Sequence, residues 1–371
     1  METALRPHTN KAAHSPSPHS RGQLQRKQHS RPSNYSEIAV LIDHVLWVSS
    51  KNQARTRKSP AAGEGNQGSK FEKWLARTGA SKPGLKKKAR SRAKSAAEPL
   101  ATDIAAYCGS LTGRNPLNPY KTNQDRAIHY HLPPTTHLFA ICDGHGVFGH
   151  QAADFICTHL PTVLYDLQSP SQPFKSTIKE AILACAEALG KSVVNVQMSG
   201  TTLVMVAVQG QTLWCANVGD SRAVLGKMQS GSKWSAVALS RDHKPSLAEE
   251  AERIAIRGGI VDSYHEEDGE AVGPSRVWLK DRSTPGLAIS RALGDSVAAS
   301  VGVIPDPETI EMKLGPEDKF VLLGSDGLFE FMSNRDLVRM VVPYWKKRDA
   351  IGAAEEVISE ARRQWEAVST K

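Results

Sequence analysis

Two Asp-Gly pairs, each directly after an apolar run, are the residues of this sequence best suited to chemistry. Asp143 follows the run LFAIC, and Asp326 follows FVLLGS. Asp-Gly is also a common turn pair, so either pair alone is more typical of a turn than of a site. A turn after the first pair needs no histidine, however, and His145 lies only two residues from Asp143. This spacing indicates a site that combines carboxylates with an imidazole.

Two further acids extend the set to four carboxylates. Asp125 lies just before the first strand-like run, and Asp220 lies in a Gly-Asp-Ser turn. Carboxylate oxygens and a backbone carbonyl, such as that of Gly144, are the ligands that Mg²⁺ and Mn²⁺ prefer. Clustered carboxylates repel one another unless a cation lies between them. The set predicts two metals that activate a water for hydrolysis of a phosphate ester.

Two of these residues also have a purely structural interpretation. His145 could be a hydrogen-bonded histidine that only supports the local structure. Asp220 could serve only the turn in which it lies. The residues by themselves leave both alternatives open.

The acids lie at the ends of runs that have the length and composition of strands, bounded by Gly, Asp or Ser. The predicted strands are 137–142, 202–208, 212–217, 222–225 and 319–324, and the predicted helices are 151–167, 176–196, 246–257, 335–345 and 350–365. Ser246 and Glu249 have the spacing of a capping box at the start of the third helix. Short turns between strands, with helices in pairs, predict an α+β fold: an αββα sandwich of two antiparallel sheets flanked by helices.

Positive charge is concentrated in the first hundred residues. Residues 1–100 hold 20 Lys and Arg against 6 Asp and Glu, whereas residues 101–371 hold 27 against 32. The first segment is rich in Ser, Pro, Gly and Gln and too poor in apolar residues to offset the entropy of ordering. We therefore expect a basic, largely disordered tail, 1–100, and a folded domain, 104–371. The basic run at 86–94 indicates binding to nucleic acid or an anionic surface, or else a solvated linker.

One apolar stretch, 38–48, interrupts this tail. It reads IAVLIDHVLWV and is shorter than the roughly 20 residues of a membrane-spanning helix, so it favours a short docking helix or strand. The tail holds none of the four carboxylates of the predicted site. We therefore expect the domain to stay folded without residues 1–100. The start of the chain resembles neither a signal peptide nor a myristoylation site, and the five cysteines lack CxxC spacing. These features predict an intracellular protein, cytoplasmic or nuclear, with no transmembrane segment and an oligomeric state left open.

Several sequence strings follow one another in a specific order. They are DGHG (143–146), SGTT (199–202), ANVGDSR (216–222), SRDHKP (240–245), LAISRALGD (287–295), PDPE (305–308) and GSDGLFEFMSN (324–334). Their order and spacing resemble the motif series of the PPM (type 2C) family of metal-dependent protein serine/threonine phosphatases. The resemblance covers about residues 107–365. It implies hydrolysis of phosphoserine and phosphothreonine in phosphoprotein substrates.

The resemblance also implies roles for single residues. Asp143 would bridge two Mg²⁺ or Mn²⁺ ions, the Gly144 carbonyl and Asp326 would each bind one, and Asp125 would contact a metal-bound water. His145 would be the general acid that protonates the leaving oxygen.

A weaker third metal would bind to Asp220, Asp326 and Glu330. The SGTT and LAISRALGD strings would be mainly structural, and the helix 246–257 with the loop after it would form a flap over the substrate entrance.

The chain departs from the family pattern at both ends of the domain. Where many members carry an arginine that grips the phosphate, the nearest basic residue here is Lys121, which supplies charge without a bidentate fork. Family members continue after the last helix into a closing strand with a metal-binding aspartate, whereas this sequence ends at Lys371. We therefore expect a C-terminally truncated domain, with impaired metal binding and activity and an open sheet edge. Asp336 is the first candidate to replace the aspartate.

A second function remains compatible with these departures. The chain could be a pseudophosphatase or a phosphoprotein-binding regulatory module with weak or no turnover. Hydrolysis of a small phosphate ester in the presence of added manganese distinguishes a catalytic phosphatase from a binding module without turnover.

Overall fold

The computed structural model of the protein describes residues 40–49, 103–112, 121–230, 233–281 and 283–369. Its strands are β1 Val40–Ser49, β2 Asp103–Thr112, β3 Arg126–Leu132, β4 Thr136–Cys142, β5 Gly144–His145, β6 Gly200–Thr201, β7 Leu203–Gln209, β8 Thr212–Val218, β9 Arg222–Met228, β10 Trp234–Ala238, β11 Ile260–His265, β12 Ala271–Trp278, β13 Pro285–Leu287, β14 Leu293–Gly294, β15 Glu308–Lys313 and β16 Asp318–Gly324. Its helices are α1 Gly149–Leu167, α2 Phe174–Gly190, α3 Ala248–Ile256, α4 Ser296–Ala299, α5 Asp326–Phe329, α6 Asn334–Lys347 and α7 Ala350–Ser369.

Two five-stranded sheets form the centre of the fold. The first sheet has the strand order β15-β8-β7-β4-β3, and the second has the order β10-β9-β16-β1-β2. Two small three-stranded sheets, β11-β12-β13 and β14-β6-β5, lie beside them. Neighbouring strands are antiparallel in all four sheets.

Three apolar layers separate the sheets and helices. One lies between the first sheet and helices α1 and α2, one between the two sheets, and one between the second sheet and helices α6 and α7. The order of layers is therefore helix, sheet, sheet, helix, which confirms the predicted αββα sandwich. No helix in the described part of the chain is both long enough and apolar enough to cross a bilayer.

The apolar runs before the acids are strands that are covered on both faces. In β4, Leu138 and Ala140 pack toward α1 and α2, whereas Phe139 and Ile141 pack between the sheets. Alternate residues of a strand point to opposite faces, so a strand in this position needs apolar residues throughout. This requirement explains the continuous run LFAIC.

The end of α2 and the start of α3 both differ from the prediction. Helix α2 ends at Gly190, six positions before the predicted end at 196, and α3 begins at Ala248 after Leu247, which makes no side-chain capping bond. The predicted capping box is wrong because the Glu249 carboxylate pairs with Arg241 instead. Glycine disfavours continuation of a helix, and the run of small and β-branched residues after Gly190 does not restore it.

Strand β1 lies in the segment predicted as tail. It pairs with β16 on one side and with β2 on the other, from Val40 opposite Thr112 to Ser49 opposite Asp103. The sheet edge that we expected to be open beside β16 is therefore covered by β1. The second sheet thus uses residues before position 104, whereas the rest of the predicted tail lies outside the described residues.

Removal of β1 should destabilise the domain, contrary to the expectation from sequence. Deletion of residues 1–102 leaves β16 with one partner and β2 with none, so we expect a loss of several kcal/mol, about 10 °C or more in Tm. Deletion of residues 1–39 should have little effect. Val45→Pro in the full chain should resemble the longer deletion, because proline cannot donate to either neighbouring strand. Equal thermal unfolding curves for all four proteins would show that β1 is dispensable.

Candidate active site

Strand register brings the first two carboxylates together. Arg126 of β3 pairs with Cys142 of β4, so residues 125 and 143 lie opposite each other one step beyond the ladder. The Gly144 N–H donates to the Gln124 carbonyl at 3.3 Å, which continues the pairing past this point. Asp125 and Asp143 therefore leave the first sheet at the same place.

The second sheet positions the other two carboxylates in the same way. Gly324 of β16 pairs with Arg222 of β9, so Asp326 and Asp220 lie opposite each other two steps further on. Asp326 is the first residue of the short helix α5. The Trp365 indole N–H donates to the carbonyl of residue 327 at 2.9 Å and so ties this turn to helix α7.

Thr202 of the SGTT string links the two turns. Its N–H donates to the Asp143 carbonyl at 2.9 Å, and its hydroxyl accepts from the Asp143 N–H at 3.1 Å. The same hydroxyl lies 2.7 Å from that of Ser221, next to Asp220. The string therefore has the structural role that the resemblance implies, and it fixes the backbone at two of the acids.

Asp143 is in side-chain contact with both Asp125 and Asp326, and Asp125 and Asp326 interact through their charges. Burial, with the neighbouring Asp326, raises the pKa of Asp125 to about 7. Burial, and then Asp125, raise the pKa of Asp143 well above its usual range, and burial, Asp143 and Asp220 do the same to Asp326. The side chains of Asp143 and Asp326 retain partial contact with solvent, although many protein atoms surround them. Three acidic side chains thus lie close together at a place where their charged forms are poorly solvated.

The arrangement fits a hard cation. Both oxygens of Asp125 are buried without a hydrogen bond of normal geometry from a described residue, although Ser325 is nearby. Oxygen atoms that accept no hydrogen bond and repel their neighbours are suited to Mg²⁺ or Mn²⁺. No three His, Cys, Asp or Glu side chains among the described residues form a finished ligand set. Asp143 contacts Asp125 and Asp326 directly instead.

His145 has a carboxylate partner that the sequence did not reveal. Its Nε2 lies 2.6 Å from Oδ2 of Asp295, which is buried. Burial lowers the pKa of His145, but Asp295, Asp143 and Asp220 outweigh it and raise the pKa to about 9. The ring is therefore cationic at neutral pH, with one nitrogen held by a carboxylate.

Asp295 reaches His145 through an uncommon backbone conformation. Its φ is 48°, in the left-handed region that costs a residue with a side chain about 1–2 kcal/mol. A Cβ on Gly200 would lie 2.1 Å from Oδ2 of Asp295, so only glycine leaves room for this contact. The LAISRALGD string therefore supplies a site residue. Local sequence does not indicate this role of Asp295, because its contact with His145 joins residues 150 positions apart in the chain.

The remaining predicted site residues lie around this centre with different partners. Asp220 is buried and paired with Lys244, whose pKa is raised because Asp220 and Asp326 outweigh its burial. The charge of Lys121 lies close enough to Asp125 to lower the pKa of that carboxyl, against the larger effect of burial. Glu330 is exposed and follows Asp326 by one helical turn. The structure thus brings Asp220 and Lys121 to the acids and leaves Glu330 at the rim.

Asp336 does not replace the expected aspartate. Its carboxylate accepts from Ser333 and is paired with Arg339 on the surface of α6. Asp349 likewise accepts from the Gly352 N–H at 2.8 Å, at the start of α7. Both acids serve helix ends, so the suggestion of Asp336 is wrong.

A buried ionic cluster anchors helix α3, which corresponds to the flap that the resemblance implies. Glu250 of α3 is completely buried and accepts from Ser290 at 2.6 Å and from Arg253 at 2.7 Å. Arg291 binds the other oxygen at 2.6 Å. Burial opposes ionisation, but the two arginines and Ser290 outweigh it and lower the pKa of Glu250. Helix α3 is therefore attached to the segment that leads to Asp295.

Comparison with known sequences agrees with this geometry. Residues 121–367 match the sequence model of the protein phosphatase 2C family. Probable protein phosphatase 2C 35 of Arabidopsis thaliana is 35% identical over 277 residues, which cover 69% of this chain and 77% of that protein. Probable protein phosphatase 2C 12 of Oryza sativa subsp. japonica is 41% identical over 169 residues, which cover 46% and 42%.

Solved structures show the same fold. A serine-threonine phosphatase 2C from Toxoplasma gondii aligns with a TM-score of 0.56 and 19% identity, over 66% of this chain and 86% of that one. A sex determining protein of C. elegans aligns with a TM-score of 0.56 and 22% identity, over 66% and 58%. At such identities the likeness concerns the fold alone.

The charge of the acids should make metal-free stability depend on pH. The folded pKa of Asp125, about 7, is above its unfolded value near 3.8, so its contribution is complete below pH 4 and is lost as pH rises to 7. In EDTA, Asp125 should therefore contribute to the free energy of unfolding a fall of up to about 1.4 kcal/mol per pH unit across this range, in addition to the falls due to Asp143 and Asp326. Asp125→Asn should flatten the fall, whereas Asp268→Asn, at an exposed acid, should not. Parallel curves for all three proteins would contradict the assignment.

Proposed function

Because the chain belongs to the protein phosphatase 2C family, and is thus a protein phosphatase, we propose that it hydrolyses phosphoserine and phosphothreonine in proteins with the help of bound Mg²⁺ or Mn²⁺. The observation that carries this proposal is the convergence of Asp125 and Asp326 on Asp143. Three carboxylates at the ends of two sheets, with raised pKa values and too few hydrogen-bond donors, are a ligand set for hard cations.

The residues that would hold two metals are Asp125, Asp143, Asp326 and the carbonyl of Gly144. When bound, the metals supply an activated water and neutralise charge on the phosphoryl oxygens. The protein contributes the fixed position of these ligands, because strand register and Thr202 determine the backbone at each one.

His145 is the group of the chain that would donate a proton. An alkoxide is a poor leaving group at neutral pH, so the leaving serine or threonine oxygen needs a proton as its bond to phosphorus breaks. Asp295 accepts a hydrogen bond from Nε2 and fixes the ring plane. The hydrogen bond therefore also restricts the orientation of the other ring nitrogen, Nδ1. Nδ1 is the nitrogen that would transfer the proton to the leaving oxygen.

Two lysines supply positive charge near the acids. Lys121 lies beside Asp125, and Lys244 lies beside Asp220. We assign Lys121 to the substrate phosphate. Lys244 is paired with Asp220, which the resemblance assigns to the third, weaker metal. A metal at this position would therefore have to compete with the ammonium of Lys244.

Metal binding near Asp326 is expected to be weak. Asp336 and Asp349 are both engaged at helix ends, so neither adds a carboxylate to this side of the site. Affinity for a hard cation rises with the charge of its ligands. We therefore expect impaired activity at low metal concentration, and a phosphoprotein-binding function without turnover if no concentration restores it.

We also propose a partner for the basic run 86–94 and a location for the protein. Residues 86–94, the basic run, lie outside the described residues, and we propose nucleic acid or another anionic surface as their partner. An intracellular location, cytoplasmic or nuclear, is likewise proposed from the sequence.

Metal should activate and stabilise the same protein. EDTA should abolish hydrolysis of p-nitrophenyl phosphate, and added Mn²⁺ should restore it and raise Tm, because the cation removes repulsion among the acids. Asp143→Asn should lose both effects of Mn²⁺ while remaining folded. Asp268→Asn should keep both. A titration of wild type is expected to saturate in two steps, and full activity in EDTA would overturn the proposal.

The acid role of His145 should depend on the leaving group. His145→Ala should lower kcat on a phosphoserine peptide by about 10²- to 10⁴-fold. Asp295→Asn should lower it by roughly tenfold or more, because the ring loses its charged partner. Both losses should shrink on p-nitrophenyl phosphate, whose leaving group needs no proton. Asp306→Asn, at a half-exposed acid paired with Lys179, is the control. Equal losses on both substrates would remove His145 from the acid role.

A further inference from the structure

An exposed apolar pair lies beside His145. The side chain of Val147 is 77% exposed and that of Met198 is 42% exposed. His145 of β5 pairs with Gly200 of β6, and the chain leaves the ladder directly after His145 and enters it directly before Gly200. Val147 and Met198 therefore lie in two adjoining loops at the same end of this short ladder.

The backbone under this pair is held firmly. The Phe148 N–H donates to Ser199 Oγ at 3.0 Å, and Gln124 Nε2 donates to the Gly146 carbonyl at 2.7 Å. Gly146 has a φ of 76°, and a Cβ there would lie 2.2 Å from the Met198 carbonyl oxygen. The loop 144–149 is thus pressed against the segment 196–200, and Val147 stays exposed on a fixed support.

The position of the pair is within reach of a bound phosphopeptide. Consecutive Cα atoms are 3.8 Å apart, so Val147 lies no more than about 7.6 Å along the chain from His145. The residues on either side of a phosphoserine lie at the same short spacing from it. When the serine oxygen of the substrate is positioned to accept a proton from His145, one of the residues next to that serine is therefore within reach of Val147.

We propose that Val147 and Met198 select phosphoprotein substrates that carry an apolar residue next to the phosphorylated serine or threonine. The inference rests on the proposed function and adds a preference to it. Contact with an aliphatic side chain would remove apolar surface of both residues from water, whereas a polar or charged neighbour would gain nothing there. A pocket that recognises a few methylene groups discriminates by roughly tenfold.

The test uses the full chain with Mn²⁺ and short phosphoserine peptides that differ only in one flanking residue, Leu or Ser, on either side. Wild type should favour Leu on one side by about five- to tenfold in kcat/KM. Val147→Ser and Met198→Ser should reduce this preference to less than about twofold and leave hydrolysis of p-nitrophenyl phosphate unchanged, because neither residue supplies a reacting group.

Ile351→Ser is the matched control. Ile351 is also exposed, at 51%, but it lies at the start of α7, fourteen residues and about 21 Å along the helix from Trp365 and the site. This variant should keep the preference of wild type. A wild-type enzyme that hydrolyses both peptides equally, or a preference that survives in Val147→Ser, would overturn the inference while the proposed function stands.

Failure of the proposed function has a separate signature, because then neither the peptides nor p-nitrophenyl phosphate is hydrolysed at any metal concentration. Fluorescence anisotropy with labelled versions of the same peptides still decides the inference in that case. Tighter binding of the Leu peptide that is lost in Val147→Ser would support the apolar contact, and equal binding of the two peptides would overturn it.

Discussion

Mutual repulsion among three closely placed carboxylates is the constraint on which the structure of this protein depends. Asp125, Asp143 and Asp326 come from two different sheets and meet where poor solvation makes their charge costly. Such an arrangement persists because Asp143 and Asp326 follow strands that are buried on both faces, and Asp125 precedes the strand that pairs with the first of them. The core between the sheets, with Phe139 and Val321 among its members, thus holds the acids together against their repulsion.

Small and polar residues near the acids have one shared effect, which is to prevent relaxation of the site. Thr202 holds the backbone on both sides of Asp143, and Gly200 leaves space for the carboxylate of Asp295. Glu250 attaches α3 to the segment that carries Asp295. A site fixed in this way cannot reduce its electrostatic cost by moving apart. Uptake of a proton, which the raised pKa values express, or binding of a cation then lowers that cost.

Much of this arrangement could be predicted from local sequence, and the part that could not is informative. The runs before Asp143 and Asp326 indicated buried strands, because apolar residues without alternation fit a strand covered on both faces. Asp295 was missed because its role depends on a contact across 150 residues and on a left-handed conformation that no propensity signals. The role of residues 40–49 was missed for a similar reason. Their composition fits a strand, but only the sheet order β16-β1-β2 shows where that strand belongs.

The position of β1 has a consequence for how the chain reaches its native state. Asp43 of β1 pairs with Gly324 of β16, which is synthesised roughly 280 residues later. Until β16 leaves the ribosome, one side of β1 has no native partner, and its backbone groups are open to pairing with other extended chains. The second sheet can close only after β16 has been translated. Such high contact order makes folding slow, so newly made chains should depend on chaperones during this interval.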